Sequence, residues 1–443
     1  MGTEAKKILW IMNTPLPGIM DQLGMQNHHK EGWLAGLYGA VCEYAPELVG
    51  SIKLAFPMNA DLLKQKLTYH QKGYGTYCVN DAECYAFPED TAHPEVRSDN
   101  LEQILSELFE EVKPDLIHVF GTEYWHSTAA ALAAEEKYPV LVSMQGVMDA
   151  CAKHYMCYLK ESDVHRRTFR DWLKHDSLEQ QQAKFRVRAG FERETLERVR
   201  HVAGRTSFDH DEVLKINQNL IYHHLGEVLR KPFYETGERK PVPHSIFISQ
   251  GNYPLKGAHL VLEALPIIIR KYPDATLTIA GDDLTRNRTW KEKVKISGYG
   301  KLLRRLIREN GLAGHVHFTG SVDAEEMKQL YLGAEVFVCP SSVENSPNSV
   351  GEAMLQKTPV VASETGGIVD VIEPDTEACF FTPGNVEELA ERVLYVMDNP
   401  GEASMRAERA FSHACREYDP KRIVDELLNV YTSCMDAPCV PEE

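Results

Sequence analysis

The stretch AEVFVCPSSVENSPNSVGEAMLQKTPVVASETGG, residues 334–367, contains the pattern that decides the fold. An apolar run ending at Pro340 is typical of a buried strand, and the loop after it leads into a helical segment. Ser346 is a favoured helix cap, and Pro347 stands where proline is favoured at a first helical position. PVVAS then predicts a second buried strand. Strand, helix and strand in this order indicate a parallel α/β unit.

The same alternation of short apolar runs and amphipathic stretches extends along the whole chain of 443 residues, which is long enough for two cores. ETGERKPVP, at 235–243, has the composition of a linker. We therefore predict two facing Rossmann-like domains with parallel sheets, at 1–236 and 244–404. We expect the segment 405–443 to pack back on the first domain as a C-terminal crossover helix. Ligands of such folds bind at the carboxyl ends of the strands.

Composition excludes several classes of protein. A net charge of −17 argues against a nucleic-acid binder. The apolar runs are too short to span a bilayer, and the start MGTEAKKILWIMN lacks the features of a signal peptide, so we expect a cytoplasmic protein. The ten cysteines form no C-x-x-C pair and no Cys/His spacing typical of zinc, so we expect free thiols and no metal site.

The helix predicted to begin at Pro347 presents the backbone N–H groups of Asn348 and Ser349, which suit a diphosphate. Glu344 precedes this terminus, and Glu352 follows about 7–8 Å along the helix axis. An extended nucleotide sugar laid across the terminus would bring its ribose to Glu352 and its sugar to Glu344, because carboxylates accept hydrogen bonds from paired hydroxyls. The alternative is that both glutamates are ordinary solvated acids.

Lys256 adds a cation to this candidate site. It lies in SQGNYPLKGAHL, at the first strand-to-helix turn of the second domain. A lysine there reaches a diphosphate as a point charge. The alternative is a solvated loop lysine.

These residues resemble glycosyltransferase family 4, whose members are retaining enzymes of the GT-B fold. The resemblance covers Ser245 to about Asn399 and includes the loop Gly251–Gly257, the strand end TIAGDD with Gly281, the E-x7-E glutamates and ETGG. In that family the first glutamate contacts the donor sugar and the second holds the ribose. The lysine and the backbone N–H groups hold the diphosphate. The resemblance implies these roles here.

The resemblance further implies a hexosyltransferase-type enzyme without cofactor or metal. It would move a sugar from a nucleoside-diphosphate sugar, by default a UDP-sugar, to a saccharide or lipid-linked acceptor. IHVFGTE, SMQG and GRTSFD look like a subgroup from bacterial surface-polysaccharide synthesis. A nucleotide-sugar epimerase and a non-catalytic partner subunit remain alternatives. The sequence leaves the sugar, the base, the acceptor and the oligomeric state open. We interpret the D-x-D at Asp209–Asp211 as a helix N-cap with helix-start acids.

Two positions of the second domain depart from the family pattern. The family has an arginine shortly before the lysine, where this chain has Asn252 and Tyr253. We hypothesise that Arg205, at a strand end of the first domain, supplies the missing cation to the donor. The alternative is a local ion pair of Arg205.

The first domain also departs from the family pattern. A Gly-Gly turn usually follows the first strand, but this chain offers Gly18 and Gly24, of which Gly18 is the donor-site candidate. His118 occupies the first position of the family's His-x-His, and Phe120 replaces the second. His118 and Glu123 are therefore candidates for the catalytic, acceptor-side polar group, together with His126 in the same loop. Each of the three is also compatible with a structural role.

The segment 163–205 carries eleven Lys/Arg and seven Asp/Glu, interleaved with Phe169 and Trp172. One interpretation is a peripheral contact with the inner face of a membrane, which would bring the enzyme to a lipid-linked acceptor. The other interpretation is a solvated helix face.

Overall fold

The computed structural model describes residues 6–25, 32–79, 82–135, 137–286 and 289–436. The chain divides into two compact units. Unit 1 comprises Met1–Asp149, Lys184–Val228 and Tyr418–Glu443, and unit 2 comprises Ala150–Ala183 and Leu229–Glu417.

Unit 1 is built on a sheet that, within the described residues, has nine strands in the order β3-β4-β5-β2-β1-β6-β7-β8-β9. The strands are β1 Ile8–Ile11, β2 Ile52–Met58, β3 Thr68–Tyr69, β4 Gly75–Val79, β5 Ala82–Pro88, β6 Leu116–Phe120, β7 Val140–Ser143, β8 His201–Gly204 and β9 Ile221–His224. Neighbouring strands are parallel along the part β5-β2-β1-β6-β7-β8-β9 of this order. At the other edge β4 pairs antiparallel with both β3 and β5.

Unit 2 is built on a parallel sheet whose described strands follow the order β12-β11-β10-β13-β14-β15. These strands are β10 Ser245–Ile248, β11 Thr276–Ile279, β12 Val316–Phe318, β13 Val336–Cys339, β14 Val360–Ser363 and β15 Cys379–Phe381. In its core Tyr331 packs edge to face against Phe247 and against Phe337, and the two phenylalanine rings are tilted by 46° to each other. The prediction of two α/β domains with parallel sheets is confirmed.

Helices alternate with these strands, as the sequence pattern predicts. They are α1 Pro17–Gln22, α2 Gly32–Tyr44, α3 Pro46–Val49, α4 Ala60–Lys66, α5 Leu101–Val112, α6 Trp125–Ala134, α7 Met148–His154, α8 Glu161–Val164, α9 Phe169–Lys174, α10 Leu178–Leu196, α11 Ser207–Ile216, α12 Ala258–Lys271, α13 Trp290–Lys295, α14 Gly298–Glu309, α15 Ala324–Gly333, α16 Asn348–Leu355, α17 Ile368–Val371, α18 Val386–Asp398, α19 Pro400–Glu417 and α20 Pro420–Asp436. Short 3-10 turns occupy Lys231–Tyr234 and Pro254–Lys256. Among the described helices, none is both long and apolar enough to cross a membrane.

Unit boundaries differ from the predicted ones in the linker. The division falls between Val228 and Leu229, and the linker candidate 235–243 belongs to unit 2. Hydrogen bonds explain this, because Arg239 donates to the Ala334 carbonyl at 2.6 Å. Composition alone does not reveal such bonds.

The C-terminal segment 405–443 is shared between the units, with the division at Glu417 and Tyr418. Its first part lies in α19 of unit 2, which contacts α16 and α18. Its second part, α20, belongs to unit 1, where the Tyr431 hydroxyl accepts a hydrogen bond from the Trp10 indole N–H at 2.8 Å. Residues 437–443 lie outside the described residues.

A second difference concerns residues 150–183, which the sequence pattern assigned to the first domain. In the structure they are part of unit 2. The Asp163 carboxylate accepts from Arg305 at 2.8 Å, and a ring nitrogen of His259 lies 2.8 Å from the Cys157 carbonyl. These partners are about 100 residues or more away in sequence, so no local pattern indicates them.

Two helix starts also need correction. Helix α16 begins at Asn348, and Pro347 is its extended N-cap residue, so neither Ser346 as cap nor Pro347 as first residue was right. At α11 the N-cap is Thr206, and Asp209 is the third helical residue of a capping box rather than the cap.

Candidate active site

The loop between β13 and α16 carries Glu344, and the ETGG segment after β14 holds this loop in place. The Thr365 hydroxyl donates to the Ser342 carbonyl at 3.0 Å, and the Gly367 N–H donates to the Glu344 carbonyl at 3.0 Å. Gly366 has a φ of 52°, and a Cβ there would lie 2.0 Å from the Glu344 carbonyl oxygen. ETGG therefore fixes the backbone that presents Glu344.

Lys256 contacts the Glu344 side chain directly. Its Nζ lies 2.5 Å from a Glu344 carboxylate oxygen, and the Ser341 hydroxyl donates to the same oxygen at 2.7 Å. Burial lowers the pKa of Lys256, but the Glu344 carboxylate outweighs this and raises that pKa above its usual value. The site therefore contains a charged ammonium in contact with the Glu344 side chain.

Gly257 allows this pair to form. It follows Lys256 with a φ of 69°, and a Cβ at this position would lie 2.0 Å from the Pro340 carbonyl oxygen. Any other residue would push the lysine turn away from the end of β13. The structure thus brings together the predicted Lys256 and Glu344, at the end of the sheet where α16 begins.

Helix α16 begins shortly after Glu344 in the sequence. Within the described part of the chain, its N-cap residue, Pro347, makes no side-chain hydrogen bond to the helix terminus. Asn348 and Ser349, the predicted diphosphate contacts, are its first two residues and are half-buried. A helix terminus of this kind carries a partial positive charge that favours an anion.

Glu352 lies inside α16, and Arg230 is its partner. Nε and a terminal nitrogen of Arg230 donate to the two Glu352 oxygens at 2.7 and 2.8 Å. Glu352 is only 3% exposed. Burial raises the pKa of Glu352, and Arg230 opposes that rise. Sequence reasoning missed Arg230, because its partner is 122 residues away.

The two predicted glycines have simple backbone surroundings. Gly281 follows β11 and exchanges 3.1 Å backbone hydrogen bonds with Gly320. A Cβ at Gly281 would come within 3.9 Å of the Asn252 side chain. Gly18 lies in α1, and no described atom would come within 4 Å of a Cβ there. Its surroundings do not require glycine.

His118 is enclosed in the core of unit 1. It is fully buried, with Nδ1 2.8 Å from the Tyr431 hydroxyl and Nε2 2.7 Å from the Ser143 hydroxyl. Burial lowers the pKa of His118 to about 3, so the ring is neutral. Both ring nitrogens have partners in the core, and these surroundings fit the structural alternative for His118.

His126 lies in a buried polar cluster at the strand ends. Nδ1 of its ring is 2.5 Å from a Glu89 carboxylate oxygen, and Nε2 is 3.0 Å from the Asn13 amide oxygen. Asn13 follows β1 and Glu89 follows β5. Sequence reasoning missed both, although their position after a strand is the signal that identifies residues at the ligand-binding edge.

Glu123 occupies the loop between β6 and α6, beside this cluster. Its Oε2 is buried and, among the described residues, has no hydrogen-bond partner. A Cβ on Gly121 would lie 2.1 Å from that oxygen and 3.0 Å from the Asn13 amide nitrogen. Glu123 is thus a carboxylate with unused hydrogen-bonding capacity at a strand end.

Glu192, on α10, is a further buried acid that the sequence pattern did not identify. It accepts hydrogen bonds from the Thr122 hydroxyl at 2.7 Å and from the Met148 N–H at 2.9 Å. Burial raises its pKa to about 7. Glu192 therefore ties the loop that carries Glu123 to the segment after β7.

Arg205 forms a local ion pair, as the alternative interpretation held. Its guanidinium contacts Glu227 and donates to the Met144 carbonyl at 2.8 Å, and its side chain is 10% exposed. Nε has no hydrogen-bond partner among the described residues. Arg205 lines a pocket of unit 1 together with the aromatic rings of Trp33 and Phe120.

The segment 163–205 combines paired charges with exposed aromatic rings. Arg167 pairs with Glu179 at 3.1 Å, so part of its positive charge is neutralised. On α9, Phe169 and Leu173 are exposed and Trp172 is 68% exposed. Helix α9 contacts α13, whose Trp290 is 77% exposed. We call these four side chains, Phe169, Trp172, Leu173 and Trp290, the aromatic patch.

Comparison with known families gives a match to a family model in the second half of the chain. Residues 233–413 match the family model described as Glycosyl transferases group 1. An uncharacterized glycosyltransferase, MJ1607, of Methanocaldococcus jannaschii is 28% identical over 191 residues, which are 43% of this chain and 45% of that protein. Glycogen synthase of Mycobacterium tuberculosis is 27% identical over 205 residues, which are 46% of each. The chain thus spans about half the length of these curated relatives.

Solved structures agree on the fold of the whole chain. Alr3699/HepE of Anabaena in complex with UDP superposes with a TM-score of 0.63 over 96% of this chain and 100% of that one, at 16% identity. Sucrose-phosphate synthase of Thermosynechococcus elongatus gives a TM-score of 0.64 over 97% and 99%, at 14% identity. The chain has the GT-B fold, which confirms that prediction. Within this fold, the part that matches the group 1 glycosyltransferase model is residues 233–413.

Proposed function

We propose that this protein is a retaining glycosyltransferase of family 4 that transfers a sugar from a nucleoside-diphosphate sugar to an acceptor hydroxyl. One observation carries the proposal: Lys256 contacts Glu344 just before α16 begins, in a loop that ETGG fixes. The relatives named as glycosyltransferases support it. The Anabaena protein has been solved with UDP and with UDP-glucose, so UDP is the nucleotide we propose.

The chemistry follows from the charges at this site. As the sugar departs, negative charge grows on the diphosphate, and donors already aimed at it stabilise the transition state. Lys256 and the α16 terminus are such donors. Glu344 now holds the ammonium, and we propose that on donor binding Glu344 accepts from sugar hydroxyls while Lys256 turns to the diphosphate. The leaving phosphate then takes the acceptor proton on the same face, and the step uses no metal or cofactor.

Glu352 is proposed to hold the ribose, with Arg230 as its positioning residue. The bidentate pair fixes both carboxylate oxygens at 2.7 and 2.8 Å from Arg230. A carboxylate offers about four lone-pair sites. Arg230 occupies two of them and the Tyr331 hydroxyl, at 3.4 Å, a third, so one remains for a ribose hydroxyl. Arg230 therefore orients Glu352 and leaves part of its hydrogen-bonding capacity for the ribose.

On the acceptor side we propose Glu123 as the contact for the acceptor hydroxyls. Its buried oxygen without a described partner and its place at the end of β6 support this role. The pair of His126 and Glu89 lies beside it and keeps the surroundings polar. The acceptor is a saccharide or a lipid-linked saccharide, as in surface-polysaccharide synthesis.

A lipid-linked acceptor is favoured by the aromatic patch. Exposed aromatic rings beside basic residues suit the interface of an anionic membrane. Flotation with vesicles of phosphatidylglycerol and phosphatidylcholine tests this contact, with the double variant Trp172→Ala, Trp290→Ala as comparison. We expect the unaltered protein to float and the variant to stay behind. Equal behaviour of the two proteins would remove the membrane contact.

The donor site is tested by thermal shift with UDP and a panel of UDP-sugars, followed by incubation with donor alone. A bound donor at about 100 times its Kd stabilises the protein by about 2.7 kcal/mol. We expect this shift to fall in Lys256→Ala and Glu344→Gln but not in Glu391→Gln, an exposed acid on α18. Absence of any nucleotide-dependent shift would overturn the proposal. Conversion of the donor sugar without acceptor would indicate an epimerase instead.

A further inference from the structure

Three side chains with metal-binding atoms converge in unit 1, and none of them belongs to the proposed donor or acceptor residues. His201 is on β8, His223 on β9 and Cys434 on α20. Nδ1 of His201 lies 3.0 Å from Nε2 of His223, and the Cys434 sulfur lies 4.0 Å from the same Nε2. One atom from each residue falls within 4.8 Å of the others.

These distances fit one zinc ion. Zinc bonds imidazole nitrogen at about 2.0–2.1 Å and thiolate sulfur at about 2.3 Å in tetrahedral geometry. Such bonds place two nitrogens about 3.3 Å apart and a nitrogen and a sulfur about 3.6 Å apart. The separations of 3.0 and 4.0 Å differ from these values by at most about 0.4 Å. The remaining pair of donor atoms, on His201 and Cys434, lies within 4.8 Å.

The surroundings also suit a structural ion. His201 is 2% exposed and Cys434 is fully buried, whereas His223 is half-buried. Three donors from the chain leave one of the four zinc positions for a water molecule. Two imidazoles and a thiolate favour zinc over magnesium or calcium, which prefer oxygen ligands.

We propose that His201, His223 and Cys434 bind a zinc ion that fastens helix α20 to the β8–β9 edge of the unit 1 sheet. The two histidines are 22 residues apart, and Cys434 is 211 residues from His223, so no short spacing motif indicates the site. This proposal differs from the expectation that the chain has no metal site. It is independent of the proposed sugar transfer.

Zinc binding at this site should release one proton. Without metal, the two facing ring nitrogens share one hydrogen. When zinc binds both, that hydrogen is held instead on a ring nitrogen that faces away, and both imidazoles stay neutral. The Cys434 thiol loses its proton to solvent. Each zinc ion therefore releases one proton, and the site changes its charge from zero to +1.

The test uses the full chain without a histidine tag, stripped with a chelator and dialysed against zinc. Bound zinc is counted by elemental analysis, and Co²⁺ replaces it for absorption spectroscopy. We expect about one zinc per chain and a thiolate-to-cobalt absorption band. Cys434→Ala should lose the band and at least about 10-fold in zinc affinity. The control Cys415→Ala removes an exposed thiol on α19 and should retain both.

A second variant separates metal binding from folding. His223→Gln alters the half-buried histidine and should lose zinc while its circular dichroism and its UDP-dependent thermal shift stay unchanged. Zinc should raise the melting temperature of the unaltered protein and leave that of His223→Gln unmoved. Equal zinc content in the unaltered protein and both site variants, or none in the unaltered protein, would overturn the site. The UDP shift judges the proposed donor site separately.

Discussion

Replacing Arg230 by methionine isolates the energetic role of the Arg230–Glu352 pair. The variant keeps much of the side-chain volume but leaves the Glu352 carboxylate, which is 3% exposed, without its bidentate partner. Removing one partner of a buried ion pair costs about 3–5 kcal/mol. The Arg230 side chain is 21% exposed, so we expect the lower end, about 3 kcal/mol.

The stability of Arg230→Met should also depend on pH, and the direction follows from the pKa of Glu352. Burial raises the pKa of Glu352, and Arg230 opposes that rise in the unaltered protein. Without Arg230 the native carboxyl holds its proton more tightly than the unfolded chain does, whose glutamates titrate near about 4.3. Folding then binds a proton, so the contribution of Glu352 to the stability of Arg230→Met falls as pH rises above that value. The difference from the unaltered protein grows once pH passes the native pKa that Glu352 has beside Arg230.

Urea unfolding at pH 5 and pH 7.5 measures both effects, with Glu352→Gln and the double variant completing a mutant cycle. The double variant should recover most of the loss, because it removes the unpaired buried charge. A loss below about 1 kcal/mol in Arg230→Met would refute the reasoning, since that is the range of an exposed pair. A double variant no more stable than the single one would refute it equally.

Three further changes probe other contacts. Gly366→Ala forces a Cβ to within 2.0 Å of the neighbouring loop carbonyl at a φ of 52°, so UDP-dependent thermal shifts should shrink, while Gly314→Ala, with open space around it, should leave them unchanged. Tyr431→Phe removes the hydroxyl shared by Trp10 and His118, and it should lower the free energy of unfolding by about 1–3 kcal/mol; no loss would mean that the hydrogen bonds contribute nothing. His118, with its pKa lowered to about 3, contributes stability that is complete above about 6.5 and is lost as pH falls toward 3. His118→Gln should flatten this part of the curve of stability against pH, and an unchanged slope would contradict the assignment.

The residue types within 334–367 were sufficient to predict the order of secondary structure in that stretch. A buried strand, a polar loop and a helix follow one another within that stretch, and each has its own pattern of residue types. The helix start was wrong by one residue because Pro347 has a ψ of 111°, which is extended, so it precedes the helix instead of opening it. The meeting of Lys256 and Glu344 was within reach because both follow strands of one parallel sheet.

The sequence did not predict side-chain contacts between residues that lie far apart along the chain. Arg230 reaches Glu352 across 122 residues, and Glu192 accepts from Thr122 across 70. His118 matched a family position, yet its side chain points to Tyr431, which is 313 residues away. A strand pattern shows which residues alternate, but it does not show which neighbour covers each face. The placement of His118 and Arg205 therefore required coordinates.

The membership of residues 150–183 in unit 2 has a consequence during synthesis. This segment leaves the ribosome long before its partners, such as Ser342, whose hydroxyl donates to the His154 carbonyl at 2.8 Å. At ~5–20 residues per second the delay is roughly 10–40 s. During that interval its apolar side chains lack the surface on which they finally pack. We therefore expect chaperones to bind this segment of the nascent chain. Unit 2 cannot finish folding until translation has passed residue 342.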